Sequence, residues 1–114
     1  MTGIVSVYAT FGSAEEAREI ARQLVEERLA ACANVLAPCH SIYRWQGRIE
    51  EAAEVPAIFK TRADVAAALV DRLAELHSYE VPAAVVWPIA FSSTRSGKRP
   101  SSTLPAVIDL IPPG

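Results

Sequence analysis

The feature that most constrains the fold is a long non-helical stretch, residues 33–60, with a turn near its middle. Its first half ends in aromatic and β-branched residues, which suit a pleated surface. Gln46-Gly47 is typical of a two-residue turn, and residues 49–60 alternate apolar and polar side chains as a half-buried strand does. The stretch therefore predicts a β-hairpin that is longer than a four-stranded subunit needs for its own sheet.

Two prolines lie inside the strands of this predicted hairpin. Pro38 and Pro56 have no backbone N–H and cannot donate to a strand ladder. We therefore expect each of them at an edge position or at a bulge.

A helix is predicted on each side of the hairpin, with apolar residues at helical spacing on one face. Ser13 and Glu16 have the spacing of a capping box, in which the Ser13 hydroxyl accepts from the Glu16 N–H and the Glu16 carboxylate accepts from the Ser13 N–H. This first helix is predicted to run to about Leu29. The second is predicted to begin within residues 61–64 and to end at His77.

Short apolar runs at residues 4–9 and 83–88 complete the pattern as two further strands. The order is then β-α-β-β-α-β, which is the ferredoxin-like split βαβ arrangement. The predicted class is α+β, with an antiparallel sheet and two helices on one of its faces.

Charge and length exclude several classes of function. The 114 residues suit one domain, and 11 basic against 13 acidic side chains give a net charge of −2, which attracts neither nucleic acid nor an anionic membrane. An RNA-binding sheet needs basic and aromatic residues where residues 49–60 carry three glutamates. We therefore expect no nucleic-acid partner, and no membrane partner, because no apolar run approaches the ~18 residues of a span.

The cysteines and the N-terminal residues predict a cytoplasmic location. Two cysteines do not make a disulfide framework, and residues 1–8 lack the basic region of a secretory signal.

The last 25 residues differ from the rest, so the predicted boundaries are a domain at 1–89 and an atypical extension at 90–114. Residues 92–103 contain only Ser, Thr, Arg, Lys, Gly and Pro, which cannot bury a core, whereas residues 104–111 are mostly apolar. We expect the polar part to be a linker and the apolar part to dock in extended form on an edge of the sheet.

Few side chains could carry chemistry, and each has a structural explanation. Cys39 and His40 are adjacent on a strand and point to opposite faces, which argues against a local metal site. Cys32, among alanines, fits a small buried apolar residue, and His77 fits the negative end of a helix. No C-x-x-C, H-E-x-x-H or Gly-rich phosphate loop is present.

Several exact segments resemble the CutA family of divalent-cation tolerance proteins, in the right order and at the right separations. The resemblance covers residues 5–89, and its segments are LAACAN at 29–34, SIYRWQGRIE at 41–50, EV at 54–55, KTR at 60–62 and LHSYEVP at 76–82. It implies a ferredoxin-like subunit in a homotrimer related in shape to the PII signalling trimers, with the hairpin pairing between subunits. It also implies an association with copper and other divalent-metal tolerance, and no established catalytic reaction.

The resemblance further implies a cleft between subunits. Its residues in this chain are Cys32, Tyr43, Trp45, Glu54, Lys60, His77 and Tyr79. His77 and Cys32 are the candidate metal ligands, for weakly bound Cu(II) or another divalent cation, and no organic cofactor is expected. A lysine, a histidine and aromatic rings suit a small anionic or planar ligand at least as well.

Three positions depart from the family pattern. Some copper-binding members have a cysteine where this chain has Ala9, and paired histidines where it has Leu76-His77, so a copper site of that type is expected to be absent or weakened. Ser78 replaces the usual proline before Tyr79, and residues 90–114 lack the family's terminal aromatic-Leu-x-Trp helix.

The sequence thus favours a non-enzymatic, trimeric, cytoplasmic protein of the metal-tolerance class. The alternative is a PII-like module that binds a small ligand and signals to a partner. A hydrolase using Cys32 with His77 is a third class, opposed by burial of the thiol, which would raise its pKa.

Overall fold

The computed structural model describes residues 3–90, which form five strands and two helices. The elements are β1 (Ile4–Phe11), α1 (Ala14–Glu26), β2 (Cys32–Val35), β3 (Cys39–Trp45), β4 (Arg48–Arg62), α2 (Ala66–Leu76) and β5 (Ala84–Pro88). The predicted order is confirmed, except that the second predicted strand is divided into β2 and β3. The predicted extension at 90–114 lies outside the described residues apart from Ala90.

The strands form one antiparallel sheet in the order β2-β4-β1-β5, while β3 pairs with the half of β4 that extends beyond the sheet. Alternate residues of β1, namely Val7, Ala9 and Phe11, are buried in a core that both helices contribute to. The structure therefore confirms the predicted α+β class, with an antiparallel sheet and two helices covering one face. We call the other side of the sheet the open face.

The division between β2 and β3 is a one-residue bulge. The register shifts between the two ladders, so that residues 36–38 lie opposite residues 55–56. Pro38 lies in the bulge and Pro56 lies opposite it. The Pro56 carbonyl accepts from the Leu36 N–H at 2.9 Å. The nitrogen of a strand residue points to the same side as its carbonyl, so the Pro56 nitrogen, which has no hydrogen, also faces the bulge. No ladder hydrogen bond is lost there. This agrees with the prediction for both prolines.

The predicted capping box is half right. The Ser13 hydroxyl caps α1 by accepting from the Glu16 N–H at 3.1 Å. The Glu16 carboxylate, however, accepts from the N–H groups of Gly12, at 3.3 Å, and of Ser78, at 2.8 Å. The predicted return bond to Ser13 is wrong because two other donors, one of them 62 residues away, reach the carboxylate.

The predicted helix ends also need correction. The first helix ends at Glu26 rather than Leu29, since Arg28 has a left-handed φ of 62° that helical geometry does not allow. The second begins at Ala66, because Thr61 is still part of β4 and is buried there. Sheet pairing therefore overrides the local helix-start signal.

The predicted turn at Gln46-Gly47 is confirmed. Both residues have positive φ, 50° and 80°, which is the geometry of a tight two-residue hairpin turn. All residues from 42 to 50 are exposed, so the outer part of the hairpin projects away from the sheet. We call this outer part, residues 42–50, the hairpin arm.

Candidate functional site

Polar side chains from four parts of the chain meet at the end of β1. They come from β1 itself, from the first turn of α1, from β4 at the base of the hairpin and from the segment after α2. We call this group the His77 cluster, and its members are Thr10, Glu16, Glu54, His77 and Tyr79.

The His77 imidazole is only 8% exposed and is fully engaged within the chain. It stacks on Phe11, with ring centroids 4.8 Å apart. The Tyr79 N–H donates to Nδ1 at 3.0 Å, and Nε2 lies 2.7 Å from the Thr10 carbonyl oxygen. Since Nδ1 accepts a bond, it carries no proton, and Nε2–H is the donor to Thr10.

Glu54 and Tyr79 form a fixed acceptor and donor pair. The Tyr79 hydroxyl donates to the Glu54 carboxylate at 2.7 Å, and the Thr10 hydroxyl donates to the same oxygen at 3.2 Å. Partial burial would raise the pKa of Glu54, but hydrogen bonds from Ser41, Tyr79 and Thr10 hold it below its ordinary value. Burial and the bond to Glu54 raise the pKa of the Tyr79 phenol, so the pair keeps its proton on Tyr79.

Glu16 ties the start of α1 to the segment after α2. Burial would raise its pKa, but hydrogen bonds from Ser78 and from the Gly12 N–H lower it. The carboxylate is therefore ionised at neutral pH and acts as an acceptor.

Cys32 and Lys60 lie elsewhere, at the other end of the sheet. Cys32 is buried and packs with Ile4 and Ile89, which agrees with its interpretation as a small apolar residue. Burial raises the pKa of its thiol, although the charge of Lys60, its ladder partner, acts in the opposite direction. The Lys60 ammonium donates to the Asn34 side chain at 3.4 Å.

Cys32 and His77 do not meet within one chain. Cys32 packs on Ile4 and His77 on Phe11, which are the first and last residues of β1. Ile4 and Phe11 are seven residue steps apart, which is about 23 Å along the strand. A nucleophile and base pair made of these two residues therefore cannot form in a single chain.

Tyr43 and Trp45 lie on the hairpin arm, where each is about half exposed. They share one face of the hairpin with Ser41 and Glu54, because strand residues two apart point to the same side and Cys39 pairs with Glu54. The predicted cleft residues thus fall into three places in the subunit: the His77 cluster, the hairpin arm and the Cys32 end of the sheet.

The residues of a single chain do not fit a copper site at the predicted positions. Both nitrogens of His77 are engaged, and Cys32 is at the other end of β1. Across residues 3–90, no three His, Cys, Asp or Glu side chains are grouped so that they could hold a metal ion.

Sequence reasoning missed Thr10 and Glu16 as members of this site, and it missed Ser41 as a hydrogen-bond partner of Glu54. The only local signal was that of Glu16, which the capping pattern placed near a helix start but gave the wrong partner. No local pattern marks Thr10 or Ser41, since their bonds to Glu54 depend on how β1 and β3 pack against β4.

In the described part of the chain, no helix is both long and apolar enough to cross a membrane.

Comparison with known proteins gives one consistent result. Residues 5–95 match the family described as CutA1 divalent ion tolerance protein. The divalent-cation tolerance protein CutA of Pyrococcus horikoshii is 46% identical over 82 residues, which are 72% of this chain and 79% of that protein.

Solved structures agree. The divalent cation tolerance protein of Thermus thermophilus superposes with a TM-score of 0.79 at 38% identity, covering 95% of this chain and 94% of that one. A protein described as the periplasmic divalent cation tolerance protein CutA of Archaeoglobus fulgidus gives a TM-score of 0.77 at 38% identity, covering 80% and 88%.

Proposed function

Because the chain belongs to the CutA1 divalent ion tolerance protein family, we propose that it is a non-enzymatic protein of divalent-cation tolerance that works as a homotrimer. In this proposal each subunit has the ferredoxin-like, split βαβ arrangement of a PII-like trimer, and the hairpin arm pairs with a neighbouring subunit. The relatives are named for tolerance of divalent cations and not for a reaction, which supports a non-enzymatic role.

The observation that supports the trimer is the exposure of large apolar side chains on two surfaces, the hairpin arm and the open face. On the hairpin arm, Ile42 is 66% and Ile49 is 60% exposed. On the open face, the Trp87 ring packs at a tilt against Tyr8, with ring centroids 5.6 Å apart, and both Trp87 and Val85 are about half exposed. Large apolar side chains left exposed on two surfaces favour an interface with other copies of the chain, which carry the same two surfaces.

Light scattering on a size-exclusion column tests this proposal. At micromolar concentration we expect a trimer of about 37 kDa, three times the 12.3 kDa chain. Ile49→Lys on the hairpin arm should shift the mass towards monomer, because the interface would have to bury a charge. Val25→Lys, at an exposed valine of α1, is the matched control and should remain trimeric. A monomeric wild-type protein would overturn the proposal.

We propose that any metal binding is weak and requires the trimer. A site that uses both His77 and Cys32 must take them from different subunits, since they are far apart in one chain. To bind a metal, Nδ1 of His77 must also release the Tyr79 N–H, which lowers the net affinity.

The second candidate function is binding of a small anionic or planar ligand in a cleft between subunits. The half-exposed rings of Tyr43 and Trp45 favour it, because they offer stacking surfaces, and Lys60 supplies a positive charge. The proposed cleft residues are Cys32, Tyr43, Trp45, Glu54, Lys60, His77 and Tyr79.

A thermal-shift screen separates the two candidates, because a ligand that binds the native state raises the melting temperature as ln(1 + [L]/Kd). We expect small shifts with Cu(II) and Zn(II). A shift of several degrees with a planar anion, abolished in Lys60→Gln, would support the small-ligand function. A large Cu(II) shift would contradict the proposed weak metal binding.

The cytoplasmic location stays a proposal. It is supported by Cys32 and Cys39, which are both free thiols, as is usual in a reducing compartment.

A further inference from the structure

The side of β5 that faces the helices is poorly covered. Val86 pairs with Val7 across the β1–β5 ladder, and paired residues point to the same side of a sheet. Val7 is fully buried in the core, yet Val86 is 40% exposed. The main contacts of the two helices fall on β1, β2 and β4, and Ala84 at the start of β5 packs against the core, so the helix layer covers the rest of β5 less completely than the other strands.

This surface is distinct from the one proposed for the trimer. Trp87 and Val85 point to the open face, whereas Val86 points to the helix side of the same strand. A valine on the core side of a sheet that remains 40% exposed is a place where further chain can pack.

A later part of the same chain has the composition and length to cover it. Residues 104–111 lie outside the described residues and include five large aliphatic side chains, which are Leu104, Val107, Ile108, Leu110 and Ile111. Residues 91–103 connect them to β5 and can span up to about 45 Å, well beyond the ~17 Å length of β5.

Charge and tethering also favour this occupant. Residues 90–114 carry three basic side chains and one acidic, whereas residues 1–89 carry eight basic and twelve acidic. The linker is therefore attracted to the body of the subunit. A segment tethered by a short linker also has a high effective concentration at a nearby surface.

We propose that residues 104–111 pack along the helix side of β5 and cover Val86 of the same chain. The contact is independent of the proposed trimer, because it uses the opposite side of the strand. It extends the core beyond the edge of the helix layer.

A double-mutant cycle on the full-length protein tests the contact. A polar-tail variant replaces the five aliphatic residues with serine and keeps the chain length. We expect it to lower the melting temperature by several degrees. Val86→Ala should lower the melting temperature in the wild-type background and much less in the polar-tail background.

Val25→Ala is the matched control, because Val25 is exposed to a similar extent, 37%, but lies on α1. Its effect should be the same in both backgrounds. Equal effects of Val86→Ala in the two backgrounds, or an unchanged melting temperature of the polar-tail variant, would overturn the proposal. So would a loss of trimer mass in Val86→Ala, because the covering partner would then be a second copy.

Discussion

Both ring nitrogens of His77 are committed to hydrogen bonds with the main chain, and this determines what the imidazole can do. The Nε2 atom holds the end of β1 through Thr10, and Nδ1 holds the segment that follows α2 through Tyr79. The ring therefore joins the end of α2 to the end of β1, although His77 and Thr10 are 67 residues apart in sequence. At the C-terminus of α2 the ring is therefore held in place by these two bonds.

Copper titration followed by calorimetry tests the metal role of His77. We expect Cu(II) to bind weakly to the wild-type trimer, and His77→Ala to remove most of that binding, because imidazole is the best copper ligand in the proposed cleft. His40→Ala is the control, since His40 is the other histidine. It lies exposed, with its Nε2 atom 2.5 Å from the Glu51 carboxylate. If His40→Ala loses the binding and His77→Ala keeps it, copper binds at the surface and the cleft assignment is wrong.

Acid should weaken the bonds that Glu54 accepts. The folded-state pKa of Glu54 is below the ordinary 4.5. The ionised carboxylate therefore stabilises the folded protein above the unfolded-state pKa, and this stabilisation is lost as the pH falls through the lower folded-state pKa. The melting temperature of the wild type should therefore fall more steeply below about pH 4.5 than that of Glu54→Gln.

Glu50→Gln, on the exposed hairpin arm, is the control for this measurement and should keep the wild-type slope. Identical slopes for the wild type and Glu54→Gln would show that the Glu54 bonds contribute nothing to acid stability.

At the scale of elements, β4 connects the two halves of the molecule. Its second half lies in the main sheet between β1 and β2, and its first half forms the hairpin with β3. The bulge at residues 36–38 separates the two parts, which frees the hairpin arm to leave the sheet. Glu54 lies next to this point, so its bond to Tyr79 ties the base of the hairpin to the segment after α2.

The hairpin turn should tolerate substitution poorly at Gly47. Its φ of +80° is unfavourable for any residue with a Cβ, although no atom lies within 4 Å of that position. Gly47→Ala should therefore cost about 1 kcal/mol in the free energy of unfolding, measured with urea. Gly12→Ala is the control, since its Cβ would meet only ordinary contacts of 3.6 Å or more. A larger loss for Gly12→Ala would contradict this account.

At the scale of the whole molecule, a single subunit is incomplete in two ways. Its hairpin arm and open face leave large apolar side chains in water, and its candidate cleft residues are distributed over three separate places. The proposed trimer would answer both needs at once, because burying the arm against another subunit would also bring side chains of different subunits together. The proposed cleft is therefore a property of the trimer rather than of the fold of one chain.

The sequence by itself determined the order of the elements apart from the division of the second predicted strand, the turn at Gln46-Gly47 and the Ser13 cap, and it limited the two prolines to an edge position or a bulge. These features follow from local geometry and periodicity, which a few neighbouring residues specify. Tertiary structure alone decided that Thr61 belongs to β4, that Glu16 binds the Ser78 N–H, that both nitrogens of His77 are engaged and that Cys32 lies far from it. Each of these depends on at least one partner dozens of residues away, whose approach is set by sheet pairing and core packing and leaves no local pattern in the chain.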